Sequence, residues 1–300
     1  MLPNFLIAGQ AKCGTSSLAY YLSQHPEIYI SKRKEPRYFT SQPQLLPLGG
    51  PKDDAVEDWY VKSYEDYKAL FNEVTTEKAI GEASADTMYF HKHTIPLIKE
   101  KLGDPKIIII LRNPVKRAFS AWQHLQRDAR EHLPFREAVA AEPERIEKNF
   151  ELIYHYTEVS KYADGIKAFQ ENFSQVKVIL NEDLAKQPQK VLKEIYEFLG
   201  VDTEVEINTE TQHNLSGIPK SRFLFNILNL KTGIHKIFRP ITFFLSKDTK
   251  VRILNKLSKK NLNRLTMDPA DSRWLYPNFI EDIEQTQQLI DKDLSKWRMN

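Results

Sequence analysis

The chain of 300 residues contains a single cysteine, Cys13. No intrachain disulfide can form and no zinc site built on several thiolates is available, so a reducing, cytoplasmic setting is expected. Long apolar runs are also missing. Nowhere do 18 apolar residues follow one another, and the first residues lack the basic segment and hydrophobic core of a secretion signal. Charge of one sign is scarce as well. A formal net charge of +3 suits an anionic small molecule and falls far short of a nucleic-acid-coating surface, so no nucleic-acid partner is expected. Internal repeats, low-complexity tracts and a clear linker are absent, which predicts one domain over residues 1–300 with a helical portion from about residue 223 packed on it. What remains, 41% hydrophobic and 28% charged, is the material of an ordinary globular core.

The pattern along the chain alternates strand and helix. Phe5–Ala8, Glu27–Ser31, Ala79–Ala83, Lys106–Leu111 and Val176–Leu180 read as strands. The run Ile107–Ile110 suits a strand buried on both faces of a parallel sheet. Helices are expected at Thr15–Gln24, Tyr64–Phe71, His93–Leu102, Val115–Arg127, Phe135–Ala141, Glu158–Asn172 and Gln189–Leu199, the last ended by Gly200. This predicts an α/β fold with a central parallel sheet flanked by helices.

The first strand runs into Gly9-Gln10-Ala11-Lys12-Cys13-Gly14-Thr15-Ser16-Ser17-Leu18. A glycine-bounded loop between a strand and a helix N-terminus is built to cradle phosphate with backbone N–H groups. The glycine spacing is that of a P-loop, but Thr15 stands where a Walker A lysine would, and Lys12 sits two residues before Gly14. By itself this leaves two classes open, a small-molecule kinase and a nucleotide enzyme of another kind. After the isoleucine strand comes Leu111-Arg112-Asn113-Pro114-Val115-Lys116-Arg117-Ala118-Phe119-Ser120-Ala121-Trp122. Arg112 leaves the carboxyl end of a central strand, where open α/β sheets bind ligands. Ser120 follows a turn and a half into the next helix. A guanidinium fork and a hydroxyl so placed suit a dianionic phosphate.

Together the two stretches resemble the 5′-phosphosulfate loop and the 3′-phosphate motif of sulfotransferases that use 3′-phosphoadenosine 5′-phosphosulfate (PAPS). Ala11 departs from the Pro or Arg common before the loop lysine. The resemblance implies a P-loop-like sulfotransferase fold with PAPS as donor and adenosine 3′,5′-bisphosphate as product. It further implies that residues Gln10, Ala11, Lys12, Cys13, Gly14, Thr15, Ser16 and Ser17 hold the 5′-phosphate, Arg112 and Ser120 hold the 3′-phosphate, and Lys12 stabilises the leaving group. Lys34-Glu35-Pro36-Arg37-Tyr38-Phe39 resembles the segment that carries the general base of heparan-type members, which implies that role for Glu35. Neighbouring cations are expected to depress its pKa. Gly81-Glu82-Ala83-Ser84-Ala85-Asp86-Thr87-Met88-Tyr89 and Ser160-Lys161-Tyr162 resemble acceptor-side segments, making Glu82, Asp86 and Tyr162 candidate substrate contacts, with Ala83 replacing the family's lysine. The loop His213–Arg222 resembles the segment that closes on the nucleotide, with Lys220 and Arg222 as candidate contacts. His91 and His93 are weaker candidates for a base.

The strand Lys106–Leu111 ends in Arg112 and not in an acid, so no metal requirement is expected. The acceptor is expected to be a hydroxyl or amine, with carbohydrate favoured by the Glu35 context, and it would enter between the loops Thr40–Asp58 and His132–Asn149. Trp59, Tyr60, Trp122 and Tyr162 are the aromatic candidates for stacking on a sugar. Residues 223–245 combine apolar runs with Lys231, Lys236 and Arg239, a pattern for a packed helix or a membrane-surface contact. Two other classes stay open on sequence: a P-loop kinase, which would need magnesium, and a non-catalytic module that binds nucleotide or polysaccharide.

Overall fold

The computed structural model describes residues 1–209, 217–221, 261–263 and 265–298. Five strands, β1 (Phe5–Gly9), β2 (Ile28–Ile30), β3 (Ala79–Ala83), β4 (Lys106–Leu111) and β5 (Val176–Leu180), form one parallel sheet in the order β2-β3-β1-β4-β5. All four isoleucines of β4 are fully buried, as a strand covered on both faces demands. The bounds of β3, β4 and β5 are those read from the sequence.

The helices that cover the sheet include α1 (Thr15–Leu22), α2 (Asp53–Glu57), α3 (Tyr64–Ala69), α4 (His91–Leu102) and α5 (Pro114–Arg127). They continue with α6 (Phe135–Ala140), α7 (Glu142–Glu147), α8 (Ala163–Asn172), α9 (Asn181–Lys186) and α10 (Pro188–Leu199), and near the C-terminus α11 (Pro269–Leu275) and α12 (Ile280–Ile290). Helix α5 starts sharply because Pro114 occupies its first turn and the Asn113 side chain accepts the Lys116 N–H at 3.1 Å. Gly200 closes α10 in the left-handed conformation, φ +79°.

One helix expected as continuous, 158–172, is broken. Glu158–Ser160 forms a single 3₁₀ turn, Lys161 is extended, and α8 starts at Ala163. The start of α8 is fixed from afar: the Asp282 carboxylate on α12 accepts the N–H groups of Tyr162 and Ala163. The C-terminal segment docks through Trp297, which is buried against Tyr162. Residues 223–245 and Arg222 lie outside the described residues. Among the described residues no helix is long and apolar enough to cross a membrane.

Candidate active site

The carboxyl ends of β1 and β4 open onto a cavity of about 270 Å³. The phosphate-type loop supplies Ala11, Lys12, Gly14, Thr15, Ser16 and Ser17, and the second motif supplies Arg112 and Ser120. Thus the two motifs, separated by a hundred residues of chain, line one space. No side chain caps the N-terminus of α1, and its first three residues line the cavity, which is the arrangement that favours an anion. Gly14 must be glycine. Its φ is +107°, and a Cβ there would lie 2.5 Å from Nδ2 of Asn181.

Positive charge dominates the wall around the loop. Lys12, Lys34, Arg112 and Arg127 line the cavity, and among the described residues no carboxylate lies within ion-pair distance of Lys12, Lys34 or Arg112. Burial pushes the Lys12 pKa down to about 7, with the fields of Arg127, Lys34 and Arg112 adding to the shift. Cations held together in this way leave a charge deficit that a multivalent anion would fill. His124 is held well below the usual histidine range by burial and by Lys12 and Arg127, so it stays neutral, and its Nδ1 accepts from Arg127 at 2.8 Å.

Glu35 stands on the same wall. Its Oε2 accepts the Ala85 N–H at 2.7 Å and lies 3.9 Å from Nε of Arg37. The expected depression of its pKa is reversed. Burial raises it, outweighing Arg37 and Lys34, because desolvation penalises the carboxylate more than the cations favour it. Arg37 is the hub of this side. Its Nη1 donates to the Tyr60 hydroxyl and to Glu151, each at 2.9 Å, and its Nε lies 3.6 Å from Asp86. Lys12, Glu35 and Arg37 all sit at positive φ, 70°, 50° and 55°, a conformation costing roughly 1–2 kcal/mol for each L-residue. Non-local bonds hold two of them there, Ala85 on Glu35 and Ser84 Oγ on the Arg37 N–H.

Other candidate residues lie elsewhere. Glu82 and Asp86 are buried behind the cavity and do not line it. Glu82 accepts from the Ser84 hydroxyl at 2.8 Å, and burial lifts its pKa to about 8. Asp86 accepts from Thr40 at 2.6 Å and faces Arg37. Tyr162 is buried beneath the loop, donating to the Arg112 carbonyl at 2.8 Å. These three side chains face protein partners and not the cavity. Cys13 is buried under the loop, where burial raises its thiol pKa to about 11. Lys220 is exposed and does not line the cavity; its N–H bonds the Asn261 carbonyl at 2.7 Å.

Gln10 borders a larger cavity, of about 690 Å³, together with His91 and His93. That space has the greater volume but mixes Lys92 and Lys161 with Glu158, Asp164, Glu281 and Asp282, and it lacks the cation surplus of the smaller one. The smaller cavity is the one that gathers both sequence motifs and Glu35.

Sequence reading passed over Arg37, Glu151, Asn181, His124 and Arg127. The last two were accessible: residues 120, 124 and 127 repeat at helical spacing and share one face of α5. The buried Arg117 of α5 is also structural in an unusual way. Its guanidinium donates to the carbonyls of Ala11 and His155, each at 3.0 Å, and of Tyr156 at 3.1 Å.

The chain matches the family model described as Sulfotransferase domain over residues 2–239. It belongs to the sulfotransferase domain family. A crystal structure of a sulfotransferase from Alicyclobacillus acidocaldarius is similar along the whole length of both chains, with 34% identity and a TM-score of 0.78. Bifunctional heparan sulfate N-deacetylase/N-sulfotransferase 3 of Homo sapiens is 31% identical over 207 residues, covering 67% of this chain. Membrane-associated sulfotransferase kil1 of Dictyostelium discoideum is 37% identical over 122 residues, covering 40% of it. The match spans 22% of the length of each of these two curated relatives. The sulfotransferase domain thus places the loop after β1, the segment from Arg112 to Ser120 and Glu35 around one cavity.

Proposed function

We propose that this protein transfers a sulfuryl group from PAPS to a hydroxyl or amine of a carbohydrate acceptor. The observation that carries the reading is the set Lys12, Lys34 and Arg112 around the α1 N-terminus, none of them ion-paired among the described residues, with Glu35 on the same wall. When bound, the donor supplies a sulfuryl group activated by a phosphate leaving oxygen. Thr15, Ser16 and Ser17 would hold the 5′-phosphate, and Arg112 and Ser120 the 3′-phosphate. Lys12 would neutralise the charge that grows on the leaving oxygen, an effect of several kcal/mol when the donor group is fixed in advance. Glu35 would take the proton of the attacking hydroxyl. Its raised pKa makes it a stronger base than a solvent-exposed glutamate, and the Ala85 N–H holds Oε2 in place. Positioning and charge neutralisation do the work, with no covalent enzyme intermediate. Carbohydrate is favoured by the names of the relatives, which include Carbohydrate sulfotransferase 15 of Homo sapiens, 28% identical over 148 residues.

Calorimetric titration with adenosine 3′,5′-bisphosphate, AMP and ATP, without magnesium, tests the donor. The bisphosphate should bind most tightly and lose its advantage over AMP in Arg112→Ala. ATP binding that ignores the 3′-phosphate would overturn the reading in favour of a kinase.

A further inference from the structure

The larger cavity, of about 690 Å³, has no part in the proposed transfer, since Lys12, Glu35 and Arg112 all line the smaller one. Its size is that of a site for a small organic molecule. The walls come from the first turns of α4, α8 and α12, and the floor includes Gln10 of the loop after β1. That loop therefore separates two spaces, with Gln10 bordering one and Ala11 and Lys12 the other. Gln10 is fully buried. Its Oε1 accepts the Ala11 N–H at 2.9 Å and its own backbone N–H bonds the Ile110 carbonyl at 2.8 Å, but its Nε2 has no hydrogen-bond partner among the described residues. Buried amide donors are ordinarily satisfied, so this one calls for an acceptor oxygen.

The rim carries the opposite charge to the smaller cavity. Glu158, Asp164, Glu281 and Asp282 stand against Lys92 and Lys161, two more carboxylates than lysines. Burial lowers the His91 pKa, so that imidazole adds no compensating charge at neutral pH. Two of the acids are already committed: Glu158 pairs with Lys161 at 2.6 Å, and Asp282 holds the start of α8. Asp164 and Glu281 are exposed, and neither has an ion pair among the described residues. Nor, among the described residues, are three carboxylate or imidazole groups gathered to hold a metal ion, so the unpaired acids suit an organic cation. Half-buried Tyr89 and Phe90, edge to face with centroids 4.9 Å apart, add the aromatic surface that an ammonium favours.

We propose that this cavity is a second binding site, for an organic amine that also carries a carbonyl or hydroxyl oxygen, and that its occupancy tightens nucleotide binding in the smaller cavity. The ammonium groups would face Asp164 and Glu281, and the oxygen would accept from Nε2 of Gln10. Such a ligand is an effector and not the sulfuryl acceptor, because Glu35 lines only the other space. The link between the cavities is Gln10 itself. Its amide is bonded to Ala11, the neighbour of Lys12, so a ligand that fixes the amide fixes the loop before the anion arrives. The coupling must be reciprocal. The amine site stands without the sulfotransferase reading; only the coupling rests on it.

The test is calorimetric titration with N1-acetylspermidine, which has two ammonium groups and one carbonyl, with and without saturating adenosine 3′,5′-bisphosphate. N-Hexylputrescine keeps the two charges and lacks the carbonyl, and N,N′-diacetylputrescine keeps carbonyls and lacks charge. N1-acetylspermidine should bind at least threefold more tightly than N-hexylputrescine and at least tenfold more tightly than diacetylputrescine. The double variant Asp164→Asn, Glu281→Gln should weaken it at least tenfold while binding the bisphosphate alone within twofold of the parent. Saturating N1-acetylspermidine should lower the bisphosphate Kd at least threefold in the parent and leave it unchanged in the double variant. No binding of N1-acetylspermidine, equal binding of diacetylputrescine, or equal binding by parent and double variant overturns the amine site. Equal binding of N-hexylputrescine overturns the role of Gln10. An unchanged bisphosphate Kd in the parent overturns the coupling. Failure of the parent to bind bisphosphate at all would overturn the sulfotransferase reading instead, and the arm without bisphosphate would still report on the amine site.

Discussion

On the proposed reading, Lys12 should make nucleotide binding depend on pH. In the empty cavity its pKa is about 7, lowered first by burial and then by Arg127, Lys34 and Arg112. A bisphosphate beside it would restore the charged form toward the ordinary lysine value of 10.5. The bound state therefore holds a proton that the free state lacks above pH 7. Binding is then strongest below pH 7 and weakens as pH rises. The apparent Kd scales as the inverse of the protonated fraction, so between pH 7.5 and 9.5 it should rise roughly 70-fold, and binding at pH 8 should take up about 0.9 proton. The phosphates are already dianionic in that window. His124, lowered, and Cys13, near 11, do not titrate there. Glu82, near 8, does, but it stands outside the cavity and is retained when Lys12 is replaced. Calorimetry of adenosine 3′,5′-bisphosphate in two buffers of different ionisation enthalpy reads the proton count directly. In Lys12→Ala both the pH slope and the uptake should vanish. Flat affinity from pH 7.5 to 9.5 in the parent, or proton release on binding, would refute the reasoning.

Three further outcomes are expected. Lys12→Met removes a cation that has no carboxylate partner among the described residues, so it should stabilise the fold by about 1–2 kcal/mol at pH 6 in urea denaturation; the folded pKa lies below the unfolded one, so the gain shrinks from pH 7 to 10.5. Arg37→Gln leaves Glu35, Asp86 and Glu151 without their shared cation and should cost about 3 kcal/mol by the same assay. With Arg37 gone the Glu35 pKa climbs further, so the acid limb of the pH–rate profile should move to higher pH. Gly14→Ala meets Asn181 and an unfavourable φ, and should weaken bisphosphate binding at least tenfold by calorimetry while the thermal transition falls by only a few degrees.

The sheet was legible because its signals are local. β3, β4 and β5 are short runs of buried side chains, and the isoleucine run needs no partner to declare itself. Lys12 and Arg112 were legible because both stand at strand ends in motifs of fixed spacing. What the sequence hides depends on distant partners. Arg37 is defined by Glu151, 114 residues away, and no local pattern announces that pairing. The break at Lys161 follows from Asp282, which caps α8 from another helix. The Glu35 pKa went the other way because charge can be read from neighbours in sequence, whereas desolvation depends on what folds over them. Glu82 and Asp86 looked available for the same reason: polarity is visible in a sequence and burial is not.

Arg117 gives the cavity a property that neither motif has alone. Its guanidinium fastens the helix bearing Ser120 to the Ala11 carbonyl, one residue from Lys12, and to the backbone at His155 and Tyr156. On the proposed reading, the two anion subsites would therefore be jaws of a single locked caliper. Such a device would sort nucleotides by length before it sorts them by charge. A ligand of equal charge whose two phosphates stand closer together or farther apart would fill one jaw and leave the other idle.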